Sequence, residues 1–267
     1  NMVLQQQTNA PIWGETQPMK TVKVTTSWDG KTYVVQADKT GKWKVTVHTP
    51  VAGGPYEIAL TDGKKVSLKN VMIGEVWICS GQSNMEMPLG GWGKIKDYQK
   101  EIAEARHSNI RLLQIEQINS TQPETNIKVR NDSWQVCSPI TIPEFSATAY
   151  FFGREISEKQ NVPVGLIHTS WGGTNVESWI SGEVLKEMPE FVETVESIQK
   201  MPGDKKILKA EYLKELTAWN NRVDEGFAEG KPVRAAASLD DKGWESMNFP
   251  GEVGPQLAGF DGVMWVR

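Results

Sequence analysis

One stretch constrains the fold more than any other. Residues 75–87 read Glu-Val-Trp-Ile-Cys-Ser-Gly-Gln-Ser-Asn-Met-Glu-Met. Val76, Trp77, Ile78 and Cys79 form a short run of strand formers, long enough for one buried strand. The run breaks at Ser80-Gly81, where glycine permits a sharp turn and a close approach to a ligand. Ser83 lies just past the break. In an open α/β sheet, ligands bind beyond the carboxyl ends of the strands. A serine hydroxyl there, beside the polar Gln82 and Asn84, is a candidate nucleophile. The common hydrolase elbow is Gly-x-Ser-x-Gly. Here Met85 stands where the second glycine would be, which disfavours an ordinary α/β-hydrolase site.

The flanking sequence divides by its periodicity. Residues 1 to about 72 read as all-β, with Thr21–Thr26, Tyr33–Ala37, Trp43–Val47, Tyr56–Leu60 and Val66–Leu68 as strands. Asp29-Gly30 and Asp62-Gly63 supply turns, and Gly53-Gly54-Pro55 breaks the pattern. Short strands at this spacing predict a small β-sandwich. His48 falls among them, away from any other chemistry-bearing residue, and reads as a surface side chain.

From Val71 onward strands alternate with helices. The segment Pro88 to Gly93 is a loop placed to shape a pocket mouth, and Tyr98–Ala105 reads as helix. Ile110–Ile115 is a second strand candidate, 117–133 is a polar loop, and Phe145–Lys159 has helical spacing. Val162–Ile167 is a third strand, running into Gly165-Leu-Ile-His-Thr-Ser-Trp-Gly-Gly-Thr-Asn-Val-Glu-Ser-Trp179. This alternation predicts a parallel three-layer α/β/α sheet. Residues 183 to about 230 read as two helices interrupted at Pro202-Gly203, with solvated charged faces. Beyond Lys231 the chain turns loop-rich, with β-like stretches at 244–250 and 260–267. The expected organisation is a β-sandwich over 1–72, an α/β domain over 73–232 and the start of an inserted β-domain over 233–267. The chain stops within an apparent strand, and a truncated domain is the expectation.

Composition narrows the classes of function. With 39% hydrophobic and 23% charged residues, the 267-residue chain has an ordinary globular composition. A net charge of −4 provides no basic footprint for nucleic acid. No apolar run approaches the roughly 18 residues a membrane span needs. No leader is evident, since Asn1-Met2 opens directly into strand-like sequence. Cys79 and Cys137 cannot make a disulfide framework and read as two buried thiols. Among the eleven tryptophans, Trp92, Trp171 and Trp179 flank the two motifs and are the ones placed to line a site.

Gly81-Gln-Ser-Asn-Met85 resembles the first block of the SGNH hydrolases, specifically the sialate O-acetylesterase group. The Gly165–Trp179 stretch resembles that group's second signature. Asn1–Gln5 with Pro11–Gly14 resembles its amino-terminal β-domain, and Phe260–Arg267 a strand of its inserted, jelly-roll-like β-domain. The resemblance implies a serine esterase that removes O-acetyl groups from a sugar, sialic acid first. It implies Ser83 as nucleophile, with an oxyanion hole built from the backbone N–H of Ser83, that of Gly173 and the amide of Asn175. Gln82 or Asn84 are alternatives for the side-chain amide. Gln82, Asn84, Trp92 and Trp171 are expected to contact substrate or support the site, and Glu177 to hold the loop.

The chemistry fits those residue types. A serine hydroxyl is a weak nucleophile until a base takes its proton. An attacked ester carbonyl needs donors aimed at the developing oxyanion, and Gly172-Gly173 can present N–H groups with no side chain in the way.

The base is the missing element. In the resembled family a histidine, preceded by an aspartate, lies near the carboxyl end of the catalytic domain, past the last residue of this sequence. The three histidines here do not follow that pattern. His107 reads as capping the end of a helix, and His168 as a packing residue closing the third strand. The general base is therefore expected from outside this chain, with the remaining carboxyl-terminal part of the same enzyme as the partner. No metal or organic cofactor is implied, because no His, Cys and carboxylate cluster stands at ligand spacing. The other partner is an acetylated carbohydrate, and the family implies secretion or a periplasmic location. Two rival readings stand beside this one: a non-catalytic carbohydrate-binding fragment, and an acetylxylan-type esterase. A lipase-like SGNH enzyme is a weaker third, since the polar side chains around Ser83 suit a sugar ester.

Overall fold

In a computed structural model, residues 1–124 and 126–223 are described, and beyond them 227, 228, 231, 232, 239–244, 246, 264 and 266. The chain forms two compact units, one of 1–119 with 123–192 and one of 120–122 with 193–267.

The first unit begins with seven strands: β1 (Met2–Gln5), β2 (Asn9–Glu15), β3 (Thr21–Thr26), β4 (Thr32–Gln36), β5 (Lys42–His48), β6 (Gly53–Thr61) and β7 (Lys65–Gly81). Period-two patterning forms these strands; in β3, Val22 and Val24 are buried while Thr21 and Lys23 are exposed. β2 and β5 pair into their own two-stranded antiparallel sheet. Its Ala10, Ile12, Trp43 and Val47 share one core with Val22, Val24, Ile58 and Val71 of the neighbouring sheet. Two sheets facing each other across that core make a small sandwich.

Three helices and three strands follow: α1 (Ser83–Glu86), α2 (Tyr98–Glu104), β8 (His107–Gln114), β9 (Gln135–Cys137), α3 (Ala147–Gln160) and β10 (Val164–Ser170). The large sheet runs β4-β3-β6-β7-β10-β8-β9, with β1 also paired to β7. The β7–β10 and β10–β8 pairs are parallel, which makes this half of the molecule α/β in class. β10 lies between β7 and β8, so the strand after α3 returns to the centre of the parallel set.

The expected strands at 66–68 and 76–79 are one continuous strand. β7 is 17 residues long; its first part pairs antiparallel with β6, residues 71–74 pair parallel with β1, and 75–81 pair parallel with β10. The boundary expected at residue 72 falls inside it. The close approach at the crossing needs Gly74, where a Cβ would stand 2.0 Å from the Pro163 carbonyl oxygen.

α3 covers one face of the parallel strands. Ser146 caps it, its Oγ accepting the Ala149 N–H at 3.1 Å. Asn161 ends it in the left-handed conformation, at φ 53°. Ala149, Tyr150 and Phe145 pack with Leu112, Val164, Leu166, Cys79 and Cys137 in the second core. Both cysteines are free and buried, and burial raises their pKa to about 11 and about 12. His107 is not a helix cap. It opens β8, and its Nε2 lies 3.1 Å from the Tyr150 hydroxyl, a partner 43 residues away that no local pattern reveals.

After β10 come the short α4 (Gly182–Leu185), then α5 (Pro189–Lys200) and α6 (Lys205–Val223), broken between α5 and α6 at the expected Pro202-Gly203. In the second unit, Phe227–Ala228 and Lys231–Pro232 pair antiparallel. The β-stretches expected at 244–250 and 260–267, and with them the inserted β-domain over 233–267, fall almost wholly outside the described residues. Among the described residues, no helix is long and apolar enough to cross a membrane.

Candidate active site

The two sequence motifs meet because their strands are neighbours in register. In the β7–β10 pair Thr169 stands beside Ser80 and Ser170 beside Gly81. Both strands therefore deliver their loops at the same carboxyl end, the position where open α/β sheets bind ligands. The Trp171 N–H donates to the Gly81 carbonyl at 2.9 Å and closes the base of the two loops.

Gly81 makes the first turn, with φ at +147°, a backbone conformation L side chains rarely adopt. Ser83 is then the first residue of α1 and is half-buried. Its Oγ donates to Gln82 Oε1 at a long 3.4 Å. Gln82 and Asn84 are exposed on either side. The turn is anchored to α3 from below. Thr148 Oγ1 donates to the Asn84 carbonyl at 2.9 Å, and the Ala147 N–H donates to the Met87 carbonyl at 2.9 Å.

The second loop passes directly beside the serine. A Cβ at Gly172 would stand 3.6 Å from Ser83 Oγ and 2.7 Å from Glu86 Oε2. Gly173 has φ at +77°, with nothing within 4 Å of where its Cβ would be. Thr174 Oγ1 donates to the Trp171 carbonyl at 2.7 Å and accepts the Trp179 indole N–H at 2.9 Å, which fixes that ring. Asn175 is exposed and precedes the short 3-10 turn Val176–Trp179. Trp92 is 67% exposed, while Trp171 is half-buried.

The carboxylate that holds this loop is Glu86. It accepts the Gly172 N–H through Oε2 and the Gln117 side-chain amide through Oε1, the latter at 2.6 Å. Gln117 Nε2 also donates to the Ser170 carbonyl at 3.0 Å. Glu177, which the sequence offered for this task, is half-buried, and its carboxylate makes no hydrogen bond or ion pair with another described residue. Sequence reasoning passed over Glu86 although it sits three residues after Ser83 on the same turn. That spacing on one helical face was the available signal.

His168 lies beneath the site rather than in it. It is 3% exposed, its Nε2 shares a short hydrogen bond with Ser170 Oγ, and Phe145 packs edge-on at 5.2 Å. Nδ1 has no hydrogen-bond partner among the described residues. Burial lowers its pKa to about 4; the Glu86 carboxylate and the Met85 backbone favour the charged form, and Arg130 opposes it. A neutral imidazole already engaged with Ser170 is not placed as a base for Ser83. His48 ends β5 in the sandwich and His107 bonds Tyr150. Among the described residues no three His, Cys, Asp or Glu side chains are grouped to hold a metal ion.

A serine at the end of a parallel strand, with a glycine loop against its hydroxyl, is an arrangement suited to acyl transfer. Comparison with known proteins agrees with that class. The family model described as carbohydrate esterase, sialic acid-specific acetylesterase, matches residues 73–209, about half of the chain, and the chain belongs to that family. Human sialate O-acetylesterase is 31% identical over 202 residues, which cover 70% of this chain and 38% of the human protein. The mouse protein of the same name is 30% identical over 201 residues, covering 69% of this chain and 37% of its own. The chain thus matches well under half the length of these relatives. Among solved structures, a carbohydrate acetylesterase from Xanthomonas citri superposes with a TM-score of 0.64 at 33% identity, covering 70% of this chain and 42% of that one.

Proposed function

We propose that this chain carries the nucleophile-bearing part of a serine esterase that hydrolyses O-acetyl esters on carbohydrates, sialic acid first among them. The observation that carries the reading is the meeting of Ser83 Oγ with the Gly172-Gly173 loop at the carboxyl ends of two adjacent parallel strands. The names of the human, mouse and Xanthomonas relatives supply the substrate class.

In this reading Ser83 Oγ attacks the acetyl carbonyl carbon while its proton passes to a histidine base. The N–H groups of Ser83 and Gly173 and the amide of Asn175 take the developing oxyanion. Collapse expels the sugar oxygen, which takes the proton back, and leaves acetyl-Ser83. Water then adds, and acetate and free Ser83 result. The base comes from polypeptide outside these 267 residues, because His48 lies on the sandwich strand β5 while His107 and His168 are hydrogen-bonded to Tyr150 and Ser170. The exposed rings of Trp92 and Trp179, with Trp171, suit sugar faces. Secretion or a periplasmic location goes with a glycan substrate.

The test is release of p-nitrophenol from its acetate ester, and of acetate from O-acetylated sialic acid and from acetylated xylan, by wild type and Ser83→Ala, each supplied with the base-bearing carboxyl-terminal polypeptide. Turnover that disappears with Ser83→Ala, and favours the sialic acid ester, supports the reading. Turnover unaffected by the substitution rejects Ser83 as nucleophile. Glycan binding without turnover, unchanged by adding a base-bearing polypeptide, favours the carbohydrate-binding alternative.

A further inference from the structure

We propose that Glu86 is a positioning residue for the ester-cleaving site, clasping the oxyanion loop to the turn that bears the nucleophile; the inference rests on the reading of Ser83 above. Three observations carry it. Both carboxylate oxygens are used, Oε2 by the Gly172 N–H and Oε1 by Gln117 Nε2 at 2.6 Å. Gln117 is itself fixed by the Ser170 carbonyl at 3.0 Å, at the end of β10. And Gly172 is the point where carboxylate and nucleophile converge, since a Cβ there would stand 2.7 Å from Glu86 Oε2 and 3.6 Å from Ser83 Oγ.

The physical logic follows from what loops otherwise do. A loop after a parallel strand has few backbone partners and samples many conformations. An oxyanion hole works only if its donors are held in place before charge develops. A carboxylate accepting a backbone N–H is among the stronger hydrogen bonds available to a loop. Because Ser83 and Glu86 belong to the same helical turn, any movement of the nucleophile carries Gly172 with it. The clasp also occupies the Gly172 N–H, which leaves Gly173 as the glycine whose N–H is open to the oxyanion. An amide in place of the carboxylate cannot serve both donors. If its oxygen accepts the Gly172 N–H, its NH2 faces that of Gln117.

The experiment compares wild type, Glu86→Ala, Glu86→Gln and Ser83→Ala by amide hydrogen exchange and by p-nitrophenyl acetate kinetics. Glu86→Ala is expected to speed exchange at Gly172 at least tenfold, with amides in the middle of β8 and β10 unchanged. It is expected to lower the Ser83-dependent kcat at least tenfold while KM stays within twofold. Glu86→Gln, which keeps one acceptor, recovers part of both losses. Unchanged exchange at Gly172 overturns the clasp. Faster exchange with an unchanged kcat overturns its role in the reaction. If no turnover depends on Ser83 even with a base-bearing polypeptide supplied, the esterase reading and the role in it fall together, and exchange still decides whether the clasp exists.

Discussion

Leu166 of β10 occupies the space that a side chain on Gly153 of α3 would need. A Cβ at Gly153 would stand 2.7 Å and 2.9 Å from the two Leu166 methyls, and Leu166 is fully buried. Helix α3 runs unbroken through this position and approaches the parallel sheet this closely because Gly153 has no side chain there. Alanine would ordinarily favour a helix over glycine by about 1 kcal/mol. Here that gain meets an overpacking cost of roughly 1–3 kcal/mol. Gly153→Val, with two more methyls, should destabilise the protein by about 2–3 kcal/mol by urea denaturation. Combined with Leu166→Ala, the valine should cost less than it does alone, because the cavity left by the leucine receives it.

Acid should weaken the fold through His168. Burial holds this imidazole at a pKa of about 4, below its ordinary 6.5. Between those values the unfolded chain takes up a proton that the folded chain refuses. The stabilisation is therefore complete above pH 6.5 and is lost as the pH falls toward 4, by on the order of 3 kcal/mol in total. The denaturation midpoint followed from pH 7 to 4 should show that slope. In His168→Gln the dependence across this window should flatten; an unchanged slope would assign the loss to carboxylates instead.

Neither thiol should react while the protein is folded. Cys79 and Cys137 are buried, and their raised pKa values, about 11 and about 12, leave almost no thiolate at neutral pH. Native protein should give no colour with a disulfide exchange reagent at pH 8, and denatured protein should give two equivalents.

Removing the Ser146 hydroxyl should cost about 1 kcal/mol, the usual worth of a helix N-cap. Ser146→Asp should retain more stability than Ser146→Ala if the cap dominates. Burial opposes the aspartate, since Ser146 is 0% exposed. The order of the two variants by thermal midpoint decides between those effects.

Much of this architecture is legible in the sequence because its signals are local. The apolar run Val76–Cys79, the break at Gly81 and the helical spacing after Phe145 each announce their element within a few residues, although the strand expected to be buried leaves Trp77 and Ile78 42% and 71% exposed. So does the pairing of the two motifs, once each is read as the end of a parallel strand. What escaped is long-range. Glu86 and Gly172 are 86 residues apart, and the spacing of Glu86 from Ser83 places it on the nucleophile's turn without showing which loop it anchors. His107 looked like a helix cap because α2 precedes it closely, while the Tyr150 hydroxyl that claims its ring lies two elements further on. The break expected near residue 72 follows a real change in pattern, from alternating residues to a continuous apolar run. The backbone simply continues through it.

That continuity ties the fate of the site to the sandwich. β7 is the spine of both halves of the first unit, antiparallel to β6 at one end and parallel to β10 at the other. One strand sets both registers, so loss of the sandwich removes pairing partners from the strand that leads into Ser83. The amino-terminal layer shares β7 with the half that carries the nucleophile, and a deletion that spares every residue of the two motifs would still strip β7 of two of its three neighbours.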